Sequence, residues 1–76
     1  MMTKLPLLTA KQVSAILNKL GFELKRKEVS HMFFEHPDGR TTVIPNHGGE
    51  EIDRGLLNKI VKHDIKMERE DFLSLV

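Results

Sequence analysis

The spacing of apolar residues changes at Gly21, and this change restricts the chain to folds that join a helix to a sheet. Before Gly21 the apolar residues recur every three or four positions, as along one face of a helix: Ala10, Val13, Ile16, Leu17 and Leu20. After Gly21, apolar and charged residues alternate at every second position, which is the spacing of a half-buried strand. The sequence therefore predicts a helix followed by strands.

The residues around the first helix indicate where it begins and ends. Thr9 can cap its N-terminus, and Gln12, three residues later, can complete a capping box. Leu8 can pack against Val13 across the same turn as a hydrophobic staple. Gly21 can adopt the left-handed conformation that ends many helices. We therefore predict a helix between Thr9 and Gly21.

The first two predicted strands follow Gly21. In the first, Phe22 and Leu24 point one way and Glu23 and Lys25 the other. The second covers residues 30–35 and is rich in aromatic side chains. Alternation along it divides four residues between two faces, with Met32 and Phe34 on one and His31 and Phe33 on the other.

A hairpin turn at residues 37–39, Pro-Asp-Gly, predicts that the third strand, residues 41–44, runs antiparallel to the second. Pro45 ends this strand or marks a sheet edge. The next segment, residues 46–49, has the composition of a loop.

Asp53 can cap a second helix, with Ile52 placed to pack on Leu57, and this helix should end near Asp64. Its buried stripe is formed by Leu56, Leu57, Ile60 and Val61. A short last helix from about Met67 to Leu75 has Phe72 as its anchor but no good N-cap residue.

These elements define the fold class: α+β, in the order α-β-β-β-α plus a short C-terminal helix. The three-stranded antiparallel sheet should carry the helices on one face. Its other face is open to solvent unless a partner covers it. At 76 residues the chain is expected to form a single domain over residues 1–76.

Composition excludes several function classes and favours a soluble cytoplasmic protein. The chain has no cysteine, so disulfides, thiolate metal sites and a cysteine nucleophile are excluded. Residues 1–8 are too short an apolar stretch for a signal peptide, and no segment has the length of a membrane span. The net charge of +1 does not by itself indicate nucleic-acid binding, which depends on clustered cations.

The stretch from Ser30 to Ile60, which begins Ser-His-Met-Phe-Phe-Glu-His-Pro-Asp-Gly-Arg-Thr-Thr-Val-Ile-Pro-Asn-His and includes Glu-Ile-Asp-Arg-Gly-Leu-Leu-Asn-Lys-Ile, resembles HicA toxins. The similarity extends to the leading helix and, more weakly, to Phe72. The resemblance implies a double-stranded-RNA-binding-domain-like fold and a ribosome-independent mRNA interferase. It also implies a HicB antitoxin that blocks the active site.

The resemblance assigns catalysis to His31, with a supporting role for Ser30. The family motif is Gly-Ser-His at the start of the second strand with an aromatic residue three positions later, matched here by Ser30, His31 and Phe34. Pro45 and His47 match a later Pro-x-His motif, from which no catalytic role is assigned to His47.

Two residues depart from the family pattern. Val29 stands where the family has glycine, and Glu28 where a basic residue is common. Valine restricts the backbone and a carboxylate repels phosphate. These departures favour a second hypothesis, a non-catalytic module of the same fold that binds RNA or an antitoxin.

The chemistry of RNA cleavage suits a single histidine. RNA carries its own nucleophile, the 2′-hydroxyl, so a nuclease of this kind needs proton transfer, which histidine performs near neutral pH. Spacing alone favours a surface or packing histidine at position 31, and it is the family resemblance that favours the catalytic role.

Four cations near His31 in the sequence are candidates for phosphate binding along one basic edge: Lys25, Arg26, Lys27 and Arg40. Phe33 can stack on a base, contact the antitoxin or pair across the hairpin. For the cations, ordinary solvation is the alternative.

No metal site and no cofactor are expected, because the histidines lack metal-ligand spacing. The expected partners are mRNA and a HicB-like antitoxin, in a homodimer or a toxin–antitoxin hetero-oligomer. A third hypothesis is a structural domain that self-associates through exposed sheet edges.

Overall fold

A computed structural model describes residues 6–46 and 49–76 of the chain. The described elements are, in order, α1 (Ala10–Lys19), β1 (Glu23–Lys27), β2 (His31–Glu35), β3 (Thr41–Pro45), α2 (Arg54–Lys59), a π-helical turn (Ile60–Asp64) and α3 (Arg69–Leu73). This order confirms the predicted α+β fold class, a three-stranded antiparallel sheet with helices, consistent with a double-stranded-RNA-binding-domain-like arrangement.

The ends of α1 are fixed by the residues that the sequence indicated. Thr9 Oγ1 accepts a hydrogen bond from the Gln12 N–H at 3.2 Å, and Gln12 Oε1 accepts one from the Thr9 N–H at 2.8 Å. This reciprocal pair is the predicted capping box. The helix ends at Leu20, and Gly21 has a φ of +95°, as its role in ending the helix requires.

The sheet has β2 in its centre, antiparallel to both neighbours. Met32 and Phe34 of β2 and Thr42 and Ile44 of β3 are all buried on the inner face. They join a core to which α1, α2, the π-helical turn and α3 each contribute buried side chains. The alternation predicted for β2 is therefore confirmed.

The prediction of a half-buried first strand was wrong. Phe22 is buried but precedes β1, and all five residues of β1 are exposed, including Leu24 at 46%. The cause is the position of β1, which is an edge strand. The helices pack over β3, at the opposite edge of the sheet. Its pairing with β2 is also irregular, because Lys25 is an extra residue between the registers Leu24–Phe34 and Arg26–Phe33.

The second helix begins as predicted and ends differently. Asp53 caps α2, and its carboxylate accepts hydrogen bonds from the N–H groups of Gly55 and Leu56. The segment predicted as its last turns is π-helical, and the Ile65 N–H donates to the Ile60 carbonyl at 2.8 Å. The wider turn carries Asp64 to Thr42, whose hydroxyl donates to Asp64 Oδ2 at 2.9 Å.

The short last helix is present and is anchored as predicted. It covers Arg69–Leu73, a shorter span than Met67–Leu75, and Phe72 is fully buried. Among the described residues, no side chain caps its N-terminus. Of the loop predicted at residues 46–49, His47 and Gly48 lie outside the described residues.

Gly21→Ala should destabilise the protein more than Gly39→Ala. Both glycines have φ near +100°, where an alanine costs about 1 kcal/mol. A Cβ at Gly21 would also lie 3.0 Å from His36 Nε2, whereas no atom of the described residues lies within 4 Å of one at Gly39. We expect a loss of about 2 kcal/mol or more for Gly21→Ala, measured by urea denaturation. Equal losses for the two variants would contradict this account.

Candidate active site on the open sheet face

The outer face of the sheet carries the side chains that alternate with the buried ones. His31 and Glu35 are exposed, Phe33 is half-buried, and Val43 of the neighbouring strand is 39% exposed. This pattern shows that the helices pack on the opposite face, where Met32, Phe34, Thr42 and Ile44 are buried. A histidine and an aromatic ring therefore share an open surface.

The main chain around His31 is fixed by three hydrogen bonds. The N–H of Glu28 donates to the His31 carbonyl at 2.7 Å, which closes the β1–β2 hairpin. The Asn46 N–H donates to the Ser30 carbonyl at 2.8 Å, and the Asn46 side-chain amide donates to the Glu28 carbonyl at 3.1 Å. Asn46 thus joins the end of β3 to the turn that precedes His31, a role that the sequence analysis did not identify.

Ser30 is positioned to orient the His31 ring. Its Oγ lies 3.1 Å from His31 Nδ1. In the neutral tautomer whose Nδ1–H donates to Ser30 Oγ, Nε2 holds a free lone pair and can accept a proton. Proton uptake at Nε2 leaves the bond to Ser30 unchanged. One hydroxyl can therefore hold the ring in both the basic and the acidic form.

Arg26 is one of the predicted cations that the structure brings to the open face. Its guanidinium carbon lies 4.8 Å from the centre of the Phe33 ring, within the range of a cation–π contact. The bulge at Lys25 is the cause, because it puts Arg26 rather than Lys25 opposite Phe33. Arg26 also forms an ion pair with Glu28 at 2.6 Å.

The other predicted cations are distributed over the molecule. Lys25 pairs with Glu23 at 3.4 Å on the same strand and lines a shallow cavity with Phe33 and Val43. Lys27 lies opposite Met32 and lines a shallow cavity beside α1 together with Lys11 and Asn46. The four cations therefore do not form one continuous edge.

Arg40 lies at the far end of the β2–β3 hairpin from His31. His31 pairs with Pro45, whereas Arg40 immediately precedes Thr41, which pairs with Glu35. The Arg40 guanidinium donates to the Ile65 carbonyl at 2.5 Å and to Asp38 Oδ2 at 2.8 Å, and it lies over the Phe22 ring. These contacts tie the hairpin to the π-helical turn.

Asp38 shows the electrostatic effect of this arrangement. The Arg40 backbone N–H donates to its carboxylate at 3.0 Å and, as the largest cause, lowers the pKa of Asp38. Partial burial opposes that shift, and the Arg40 side chain and His36 reinforce it. The charged carboxylate is thus favoured in the fold, and any stability that it adds is lost as the pH falls through its lowered pKa.

Within residues 6–46 and 49–76, no three histidine or acidic side chains converge as ligands for a metal ion. In the same segments, no helix has the length and apolar character needed to cross a bilayer.

The fold and site define a class of small α+β domain whose uncovered sheet face carries a histidine beside an aromatic ring and an arginine. The family model described as the HicA toxin of bacterial toxin–antitoxin systems matches residues 10–65. The chain belongs to the HicA toxin family. The comparison with curated proteins finds no match.

Arg40→Gln should reduce stability by about 2 kcal/mol, because the bond to the partly buried Ile65 carbonyl loses its charged donor. Arg26→Gln is the matched control, since Arg26 is 65% exposed and its removal should cost less than about 1 kcal/mol. Urea denaturation of both variants measures the difference. The structural role of Arg40 would be refuted by an Arg40→Gln variant as stable as Arg26→Gln.

Proposed function

We propose that the chain is the toxin of a toxin–antitoxin pair and acts as an mRNA interferase, an RNA endonuclease that uses His31. The observation that carries this proposal is the exposed His31 ring on the open sheet face, with Ser30 at its Nδ1 atom. Family membership supports the toxin assignment. The substrate would be mRNA, in the cytoplasm and independent of the ribosome.

In this mechanism His31 moves protons and the RNA supplies the nucleophile. Nε2 takes the proton of a 2′-hydroxyl, whose oxygen attacks the adjacent phosphorus and displaces the 5′-oxygen of the next nucleotide. The protonated ring can then return that proton to the leaving oxygen. Ser30 is a positioning residue that holds the ring at Nδ1 and leaves Nε2 free for the substrate. The reaction as proposed needs neither a metal ion nor a cofactor.

The neighbours of His31 suit an RNA strand. Arg26 can neutralise a phosphate, and a base can stack on the planar guanidinium that lies over the Phe33 ring. Lys25 and Lys27 extend the positive charge along β1. Arg40, held by Asp38 and Ile65, would contribute to RNA binding only indirectly, through the stability of the hairpin.

The same face suits the antitoxin. Phe33 and Val43 are apolar side chains left partly open on it, next to His31. A HicB-like protein that buried them would gain apolar contact and cover the imidazole at the same time. We propose that inhibition in a toxin–antitoxin hetero-oligomer works by this coverage.

His31→Ala should lower the rate of RNA cleavage by roughly 100-fold or more, the usual contribution of a general acid or base. His63→Ala is the matched control, because His63 is also exposed but lies in the π-helical turn. Mapping of new RNA ends made by purified proteins gives the rates. Ser30→Ala should lower the cleavage rate by a smaller factor, and Ser30→Thr, which keeps the hydroxyl, should restore the rate. Equal cleavage by the wild type and His31→Ala would exclude the proposed role of His31.

A second candidate function is a non-catalytic module that binds RNA or an antitoxin. Val29 favours it, because its side chain is 95% exposed directly before Ser30 and His31, where the family has glycine. Val29 does not have a positive φ, so the turn does not require the flexibility of glycine. The valine is therefore compatible with the fold. Its exposed side chain lies in the turn directly before Ser30 and His31.

Val29→Gly should raise the cleavage rate if the side chain obstructs RNA. Stability should fall by less than about 1 kcal/mol, since the residue buries almost no surface and glycine mainly raises the conformational entropy of the unfolded chain. Val43→Ala, on the same face but away from the turn, is the control. A non-catalytic module would instead bind RNA or antitoxin and yield no RNA ends with valine or glycine at this position.

A further inference from the structure

One exposed ion pair occupies the guanidinium that lies over Phe33. Arg26 Nη2 donates to Glu28 Oε2 at 2.6 Å, while the guanidinium carbon stays 4.8 Å from the ring centre. The backbone N–H of Glu28 donates to the carbonyl of His31, so the acid is anchored directly across the hairpin from the histidine. A negative charge therefore sits at the part of the face where the proposed substrate would bring its phosphates.

A carboxylate and a phosphate compete for the same donors on a guanidinium. Both accept hydrogen bonds from its planar fork of N–H groups, in similar geometry. While Glu28 holds Arg26, the charge of the arginine is neutralised and at least one donor is taken. The pair is also replaceable, because the two side chains are 65% and 45% exposed and ion pairs in water are weak.

We propose that Glu28 is an internal competitor for RNA phosphate at Arg26 and thereby sets the affinity of the open face for RNA. The inference rests on the proposed function, since it concerns the same substrate. Glu28 is here a residue that determines affinity and takes no part in the proton transfers. When RNA binds, a phosphate replaces the carboxylate, and Arg26 can remain over Phe33 during the exchange.

The same strand offers a matched control. Lys25 pairs with Glu23 at 3.4 Å. These two residues are also two positions apart in the chain, and both side chains are more than half exposed. Glu23 pairs with Glu35, at the end of β2 opposite to His31. Glu23→Gln and Glu28→Gln therefore make the same change in net charge and each release one cation. Glu28→Gln frees the guanidinium that lies over Phe33, whereas Lys25 lines a cavity with Phe33 and Glu35, at the end of β2 away from His31.

The test is the affinity of these variants for a short single-stranded RNA, measured by fluorescence anisotropy over a series of salt concentrations. All proteins carry His31→Ala so that the RNA stays intact. Glu28→Gln should tighten binding roughly two- to fivefold, the range set by the strength of an exposed ion pair. The slope of log affinity against log salt should steepen by about 0.7, as for one more phosphate contact. Glu23→Gln should tighten binding less and steepen the slope less, because the cation that it frees lies toward the Glu35 end of β2.

Repeating Glu28→Gln in an Arg26→Gln background tests whether the effect passes through Arg26. The gain in affinity should vanish there. The inference is overturned if the gain persists without Arg26, if Glu23→Gln gives the same gain, or if Glu28→Gln gives none. Cleavage is measured separately, in proteins that keep His31. If these proteins cleave RNA but Glu28→Gln does not change RNA binding, this inference alone is refuted. Absence of RNA binding and of cleavage in every variant refutes both proposals.

Discussion

The packing of the inner face of β2 and β3 against the helices is the interaction on which the rest of the structure depends. Met32, Phe34 and Ile44 are buried there, and each fixes its strand neighbours by the alternation of side chains across a sheet. A slip of one residue in β2 would bury His31 and Phe33 and expose Met32 and Phe34. The exposure of the histidine is thus a result of burying its neighbours.

The sequence predicted the parts of the fold that local chemistry determines. The capping box at Thr9, the left-handed Gly21 and the alternation along β2 each depend on residues within a few positions of one another. Prediction from the sequence failed where packing between distant segments determines the local structure. Leu24 has the spacing of a buried strand residue but lies on an edge strand and is 46% exposed. The π-helical turn at Ile60–Asp64 brings Asp64 to Thr42, a residue distant in sequence.

The residues at the centre of the candidate site could be predicted from the sequence, but the positions of the cations around them could not. His31, Ser30 and Phe33 follow from the motif and from a regular strand. Arg26 reaches Phe33 because of a bulge, and simple alternation would have put Lys25 there instead. Arg40 is near His31 in sequence but is separated from it by the length of a hairpin, since the two strands run in opposite directions. Proximity along the chain was a poor guide to proximity in space.

The hydrogen bonds around the turn before His31 involve mostly main-chain atoms. Asn46 reaches the carbonyl groups of Ser30 and Glu28, and the Glu28 N–H reaches the carbonyl of His31. None of these bonds uses the side chains of residues 28 and 29. Substitution at these two positions can therefore leave the histidine in place while it changes the charge and shape of the surface beside it.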